Sequence, residues 1–125
     1  MAPSGLPKKL LIKQAYKVVI LNAPSAYIPQ LGELPTGVSL ACSIEGQYDV
    51  VQLFAYQKAD VDQYGPAVLK AVKPGGILWV SYRKSVPKGE TRTIHRDAGW
   101  EAIVQAGWEG VSLIAIDDVW SAMRF

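Results

Sequence analysis

The chain has 125 residues, half of them hydrophobic and 19% charged, with a formal net charge of +2. That composition fills a core and excludes a disordered chain, and the charge is too small to hold nucleic acid by itself. One cysteine, Cys42, excludes an internal disulfide framework or a cysteine-built zinc site.

The length suits a single domain over residues 1–125. No apolar run approaches the roughly 20 residues of a membrane span, and the stretch MAPSGLPKKLLIKQAYK has only LLI between lysines, too short for a secretory signal. A soluble, cytoplasmic protein is the expectation.

In chain order, residues 1–7 read as a loose N-terminal tail, grading into a short helix over 6–12 that packs Leu10 and Leu11 on a sheet. KVVIL (17–21) is a continuous β-branched run, the mark of a strand buried on both faces. Ser25 is placed to cap a short helix that Gly32 ends. VSLAC (38–42) reads as a second strand and YDVVQLFAY (48–56) as a third. Asp60 and Gln63 resemble a capping box for a helix with Val61, Tyr64, Val68 and Val72 on one face, kinked or restarted at Pro66 and stopped by Lys73, Pro74, Gly75 and Gly76. ILWVSY (77–82) is a fourth strand. Asp97 is placed to cap a helix that turns Trp100, Ile103 and Val104 inward and ends at Gly107. The closing VSLIAIDDVWSAMRF divides at Asp117 and Asp118 into a hairpin.

Strands that alternate with helices imply right-handed crossovers and a mostly parallel sheet covered on both faces. With the closing hairpin and the phrase LKAVKPGGILWVSY, the chain resembles the core of S-adenosylmethionine-dependent methyltransferases. KVVILNAP, AVKPGGILWVSY, HRDAGWEA and IDDVWSAMRF together resemble a small bacterial family of unknown function, over most of the residues from Lys9 to Phe125. The resemblance implies a truncated, Rossmann-like α/β domain of three layers, with about six strands in the order 2-1-3-4-6-5, the sixth antiparallel. It implies no activity.

Two departures from the methyltransferases stand out. Their first strand ends in an acidic residue and a glycine-rich loop that lets the cofactor lie on bare backbone, whereas Asn22, Ala23, Pro24 and Ser25 include no glycine. Their second strand ends in an acid that holds the ribose hydroxyls, and Glu45 is the only candidate here. No cofactor is therefore expected.

In an open parallel sheet a ligand binds beyond the carboxyl ends of the strands, where the connections reverse direction. That crevice is expected to be bordered by Asn22, Ser25, Tyr56, Gln57, Tyr82 and Arg83. A helix starting near Ser25 would favour an anion there; alternatively Ser25 is only a cap and Asn22 only completes the turn. The segment RKSVPKGETRTIHR (83–96) holds five of the thirteen basic residues and one acid, Glu90. It reads either as a cationic lid, with Arg83, Lys84, Lys88, Arg92 and Arg96 facing a phosphate or carboxylate, or as a solvated loop. It interleaves no aromatic residue, which counts against single-stranded nucleic acid.

His95, the sole histidine, has no recognisable nucleophile beside it and reads as ordinary loop; no catalytic residue is assigned. Asp117 and Asp118 read as solvent-facing turn residues, not metal ligands, and Cys42 as a small core residue. Trp79 and Trp100 read as core, while Trp108 and Trp120 flank a sheet edge that either is merely covered or meets a protein partner or second copy. The leading reading is a non-catalytic binding or regulatory module for a small anionic ligand or a protein partner. The alternatives are a divergent S-adenosylmethionine-dependent methyltransferase and a structural protein that interacts through the Trp-bearing edge.

Overall fold

The computed structural model describes residues 5–91, 93–95 and 98–125. Strands β1 (Lys17–Leu21), β2 (Ser39–Ala41), β3 (Tyr48–Ala55), β4 (Val72–Arg83), β5 (Ser112–Ala115) and β6 (Trp120–Arg124) form one sheet in the order β2-β1-β3-β4-β6-β5. The first four are parallel, and β6 runs antiparallel to both β4 and β5. This is the mixed α/β sheet expected from the sequence, with the closing hairpin at one edge.

The uninterrupted apolar runs arise because the sheet is covered on both sides. Val19 and Leu21 of β1 and Val51, Leu53 and Ala55 of β3 face helices α3 (Lys58–Ala71) and α4 (Glu101–Val104), meeting Val61, Val68, Trp100 and Ile103. Val18, Ile20, Val50, Phe54 and Trp79 face the other way, toward α1 (Leu6–Lys9) and α2 (Tyr27–Gln30), where they meet Leu6, Leu10, Tyr27 and Leu31. Successive strand residues point to opposite faces, so a strand with no polar alternation fills two cores at once.

Several local expectations are corrected. The tail ends earlier than residue 7: Pro7 stands in the first turn of α1, where a missing N–H costs nothing, and Leu6 and Pro7 are buried. The helix stops at Lys9, and the chain turns through Leu11 at φ 64, which leaves Leu11 exposed while Ile12 is buried in its stead. Helix α3 starts before Asp60. Its N-cap is Gln57, and the Asp60 carboxylate reaches back to accept the N–H groups of Tyr56 at 2.8 Å and Gln57 at 3.3 Å. Pro66 lies inside this one helix and does not restart it. In α4, Ile103 is buried but Val104 is 53% exposed, and Trp100 is the N-cap; Asp97 lies outside the described residues. Cys42 is exposed, because it lies just beyond the short edge strand β2.

The Lys-Pro-Gly-Gly turn belongs to the start of β4. Tyr48 pairs with Val72 and Val50 with Ile77, so residues 73–76 bulge opposite Asp49 alone. Glycine is required at 76, where a Cβ would meet the Lys73 carbonyl oxygen at 2.9 Å and that of Asp49 at 3.1 Å.

A buried polar chain crosses the α2 side of the sheet. Tyr27 Oη donates to Gln52 Oε1 at 2.9 Å, and Gln52 Nε2 donates to Ser81 Oγ at 3.0 Å. Burial, offset in part by the Gln52 hydrogen bond and reinforced by the charge of Asp117, pushes the Tyr27 phenol up from 10.0 to about 12. A raised native value means that the folded state holds the proton more tightly than the unfolded chain, so stability falls as pH rises from about 10 to 12. Tyr27→Phe is expected to cost roughly 1 kcal/mol at neutral pH and to remove that part of the alkaline loss, as read from urea midpoints across pH.

The hairpin turn is tied to α2. Asp117 Oδ1 accepts the N–H groups of Val119 and Trp120, each at 2.8 Å, and Oδ2 accepts Gln30 Nε2 at 3.0 Å, so Asp117 does not simply face solvent. Burial alone would raise its carboxyl, but the Gln30 bond, the two backbone bonds and the Lys84 charge outweigh this and hold it below the usual aspartate value. The stability it lends is present above that usual value and is lost as pH falls through the lowered native one. Asp117→Ala is expected to lower stability by roughly 1–2 kcal/mol and to flatten the acid limb of the stability profile in urea titrations.

Candidate functional site

The chain leaves β1 for β2 on one side and returns to β3 on the other, so connections reverse between β1 and β3. Beyond the carboxyl ends lies a crevice of about 470 Å³, walled by Pro24 after β1, Tyr56 after β3, Arg83 and residues 85–87 after β4, and Asp118, Val119 and Trp120 from the hairpin. A hollow of about 200 Å³ beside it shares Pro24, Val119 and Trp120 and is closed by Tyr27, Gln30 and Asp117.

The floor is aromatic. Phe54 meets Tyr27 at 4.5 Å and Trp120 at 4.9 Å between ring centres, and Trp120 meets Tyr56 at 5.1 Å, all edge to face. Such rings hold one another in fixed orientations. Arg83 stands over the Tyr56 ring at 5.3 Å, and its Nη2 donates to the Tyr56 carbonyl at 2.7 Å.

Of the residues expected at the crevice, only Tyr56 and Arg83 line it. Asn22 is a strut between strand ends: at φ 61 it aims Nδ2 at the Phe54 carbonyl oxygen, 2.9 Å away. Ser25 is exposed and caps nothing; the N-cap of α2 is Ala26, without a side-chain bond, and four residues make too short a helix to hold an anion at its start. Gln57 lies at the start of α3, where Nε2 donates to Glu90 and Oε1 accepts from Thr93 Oγ1 at 2.5 Å and Thr93 N at 3.3 Å. Tyr82 points to the opposite face, packed edge to face on Trp100 at 5.6 Å.

Two cations of the expected lid have partners within the chain. Arg83 pairs with Glu90, and Lys84 Nζ donates to the Asp117 carbonyl at 2.7 Å. Thr93 Oγ1 also accepts the Lys58 N–H at 2.8 Å, so the far end of the loop is fastened to α3. Lys88 is exposed; Arg92 and Arg96 lie outside the described residues. His95 forms a two-way backbone bridge with Ala98 at 3.0 and 3.1 Å. Among the described residues, no three His, Cys, Asp or Glu side chains cluster as a metal site would need, and no helix is long and apolar enough to cross a membrane.

The two tryptophans that flank the closing strands are packed within the fold. Trp120 is only 6% exposed and forms part of the crevice floor, and Trp108 packs partly buried against the α3 side. Sequence reasoning missed Trp120 as a site residue, although the signal was there: an antiparallel sixth strand beside the fourth must start where the fourth ends, and Arg83 pairs with Trp120. It also missed Glu90, whose signal was being the one acid in a basic run.

No family model and no curated protein matches the chain. Solved structures do. A ribosomal protein L11 methylase from Lactobacillus delbrueckii subsp. bulgaricus has a TM-score of 0.61 at 8% identity, over 97% of this chain and 74% of that one. DhpI in its SAH complex has 0.59 at 14%, over 97% and 81%. A SAM-dependent methyltransferase from Aquifex aeolicus has 0.56 at 14%, over 98% and 92%.

The residues here do not fit the cofactor seat that the resemblance implies. Pro24 stands where a glycine cradle would lie and lines the crevice wall. Glu45 is at the wrong end of the sheet: its carbonyl is 3.4 Å from Lys17 Nζ at the start of β1, and its N–H donates to Tyr48 Oη at 2.9 Å. At such low identities the likeness concerns the fold, and the chain has a methyltransferase-like α/β fold whose loop after β1 carries no glycine at residues 22–25.

Proposed function

We propose that the chain is a non-catalytic binding module whose crevice takes a small anionic ligand. Arg83 carries this reading. Its side chain is 12% exposed, it stands at the crevice wall, and its Nε has no hydrogen-bond partner among the described residues. A guanidinium in that setting suits a planar oxyanion better than water does. The volume falls within the range of small-ligand sites, roughly 300–1,000 Å³; the remaining wall is mainly apolar, from Pro24, Tyr56, Val86, Pro87, Val119 and Trp120, with Ser85 and the acidic Asp118 as its polar members.

A second reading, a divergent S-adenosylmethionine-dependent methyltransferase, draws support from the fold of its structural neighbours. Against it stand Pro24 in the loop and Glu45 at the far end of the sheet. Fold likeness without the site is weak warrant for an activity.

Calorimetry decides between them. Benzoate or inorganic phosphate is expected to bind the unmodified protein, and Arg83→Ala to weaken that binding by roughly ten- to a hundredfold, the loss of a charged hydrogen bond. S-adenosylmethionine and S-adenosylhomocysteine are expected to show no affinity tighter than millimolar. Micromolar binding of either, with the adenosine over residues 22–25, would transfer the case to the methyltransferase reading.

A further inference from the structure

The cation that defines the crevice already holds a carboxylate. Arg83 Nη2 donates to Glu90 Oε2 and Nη1 reaches Oε1 at 3.4 Å, so two nitrogens of the fork face two oxygens of one carboxylate. Glu90 is 34% exposed and Arg83 12%. Gln57 Nε2 supports the same carboxylate from the start of α3. From its other side Arg83 is held independently, by the Tyr56 carbonyl and the Tyr56 ring. The guanidinium would therefore keep its place if Glu90 left.

Glu90 also controls a wall. The backbone N–H of Lys84 donates to the Val119 carbonyl at 2.8 Å, and Thr93 is fastened to Gln57 and Lys58. Between those two anchors Glu90 reaches inward, and residues 85–87 between it and Lys84 line the crevice. Gly89 beside it has φ +94, a conformation that glycine adopts without strain, and a Cβ there would meet nothing within 4 Å.

We propose that Glu90 is an internal stand-in for the ligand: the crevice takes a small carboxylate on a flat apolar body, which replaces Glu90 on Arg83 and releases the wall formed by residues 85–90. The proposal rests on the crevice being a binding site as inferred above, and adds the ligand's class and its regulation. Exchange of one carboxylate for another leaves no charge unpaired on a largely buried guanidinium, which is what makes the replacement feasible. The flat apolar body is chosen to match the rings of Tyr56 and Trp120 and the apolar side chains of Pro24, Val86 and Val119 that line the crevice with the same cation. Apparent affinity is reduced by the fraction of time that Glu90 occupies Arg83.

Glu90→Gln tests this, since the amide keeps an oxygen for Gln57 and loses the charge. If Glu90 holds Arg83 about nine-tenths of the time or more, benzoate should bind the variant at least tenfold tighter than the unmodified protein. Acetate, which has no flat body, should bind the variant at least tenfold more weakly than benzoate does. In the unmodified protein, benzoate should speed tryptic cleavage after Lys88.

Equal benzoate affinity in the two proteins, lost in Arg83→Ala, overturns the competition and leaves the crevice reading standing. Acetate as tight as benzoate overturns the flat-body assignment. No binding of benzoate or phosphate to either protein sinks both inferences. Should the variant not fold, benzoate that binds the unmodified protein without changing cleavage after Lys88 overturns the proposal.

Discussion

Strand β3 is buried on both faces over every residue except Asp49, and the rest of the molecule is arranged around it. Its apolar side chains divide between two cores, Tyr48, Val51, Leu53 and Ala55 on the α3 side and Val50 and Phe54 on the α2 side, which calls for helices on both sides of the sheet. The one polar side chain buried within it, Gln52, has a primary amide sealed from water, so each unpaired group would cost roughly 1–3 kcal/mol. Tyr27 and Ser81 supply the partners. Tyr27 thereby fixes α2 against β3, and α2 fixes the loop ahead of it that carries Pro24 to the crevice wall. A requirement set deep inside the sheet is thus transmitted to its mouth.

Charge in this protein is settled by burial more than by count. The pair of Lys58 and Asp62 lies one turn apart on α3 with both side chains well exposed, a setting in which solvent screening leaves an ion pair little weight. Arg83 and Glu90 are different. With Arg83 largely shielded and shared with the Tyr56 carbonyl, loss of one partner leaves a charge that water reaches poorly. In the described part of the basic segment, the single acid holds Arg83, and Lys84 is drawn to the Asp117 carbonyl at its start. Net charge over a stretch of sequence says little about this. What matters is which cation meets the lone anion.

The sheet was legible because its signals are local and repeated. KVVIL and YDVVQLFAY read as strands buried on both faces, the Lys-Pro-Gly-Gly turn marks the approach to β4, and Asp-Asp marks the hairpin, so the elements followed from local signals, while their order was what the resemblance to the methyltransferase core implied. Caps were less legible. Ser25 and Asp60 have the right chemistry for N-caps, but the chain starts one helix at Ala26 and the other at Gln57, because tertiary contacts decide which residue stands at the boundary. The site was half legible. Tyr56 and Arg83 follow from strand ends, whereas Trp120 and Glu90 arrive from distant parts of the chain, and their placement depends on register and on a loop path that no local pattern encodes.

A methyltransferase-like sheet does not by itself fix where a ligand lies along its carboxyl edge. With glycines after the first strand, the open backbone is on the β1 side. In this chain that side is filled by Pro24 and braced by the bond from Asn22 to Phe54, while the cation, the aromatic floor and the wall of residues 85–87 all gather toward β4 and β6. The edge-to-face contacts among Tyr27, Phe54, Trp120 and Tyr56 leave that floor little freedom to adapt, so a ligand there would meet a preformed surface and little ordering cost. On the reading proposed, affinity is then set mainly by the contest for Arg83, a contest between two carboxylates in which the resident one is tethered to the chain. Its effective concentration falls as the loop is lengthened or loosened. Changes at Gly89, which does not line the crevice, would thus tune binding without altering a residue of its wall.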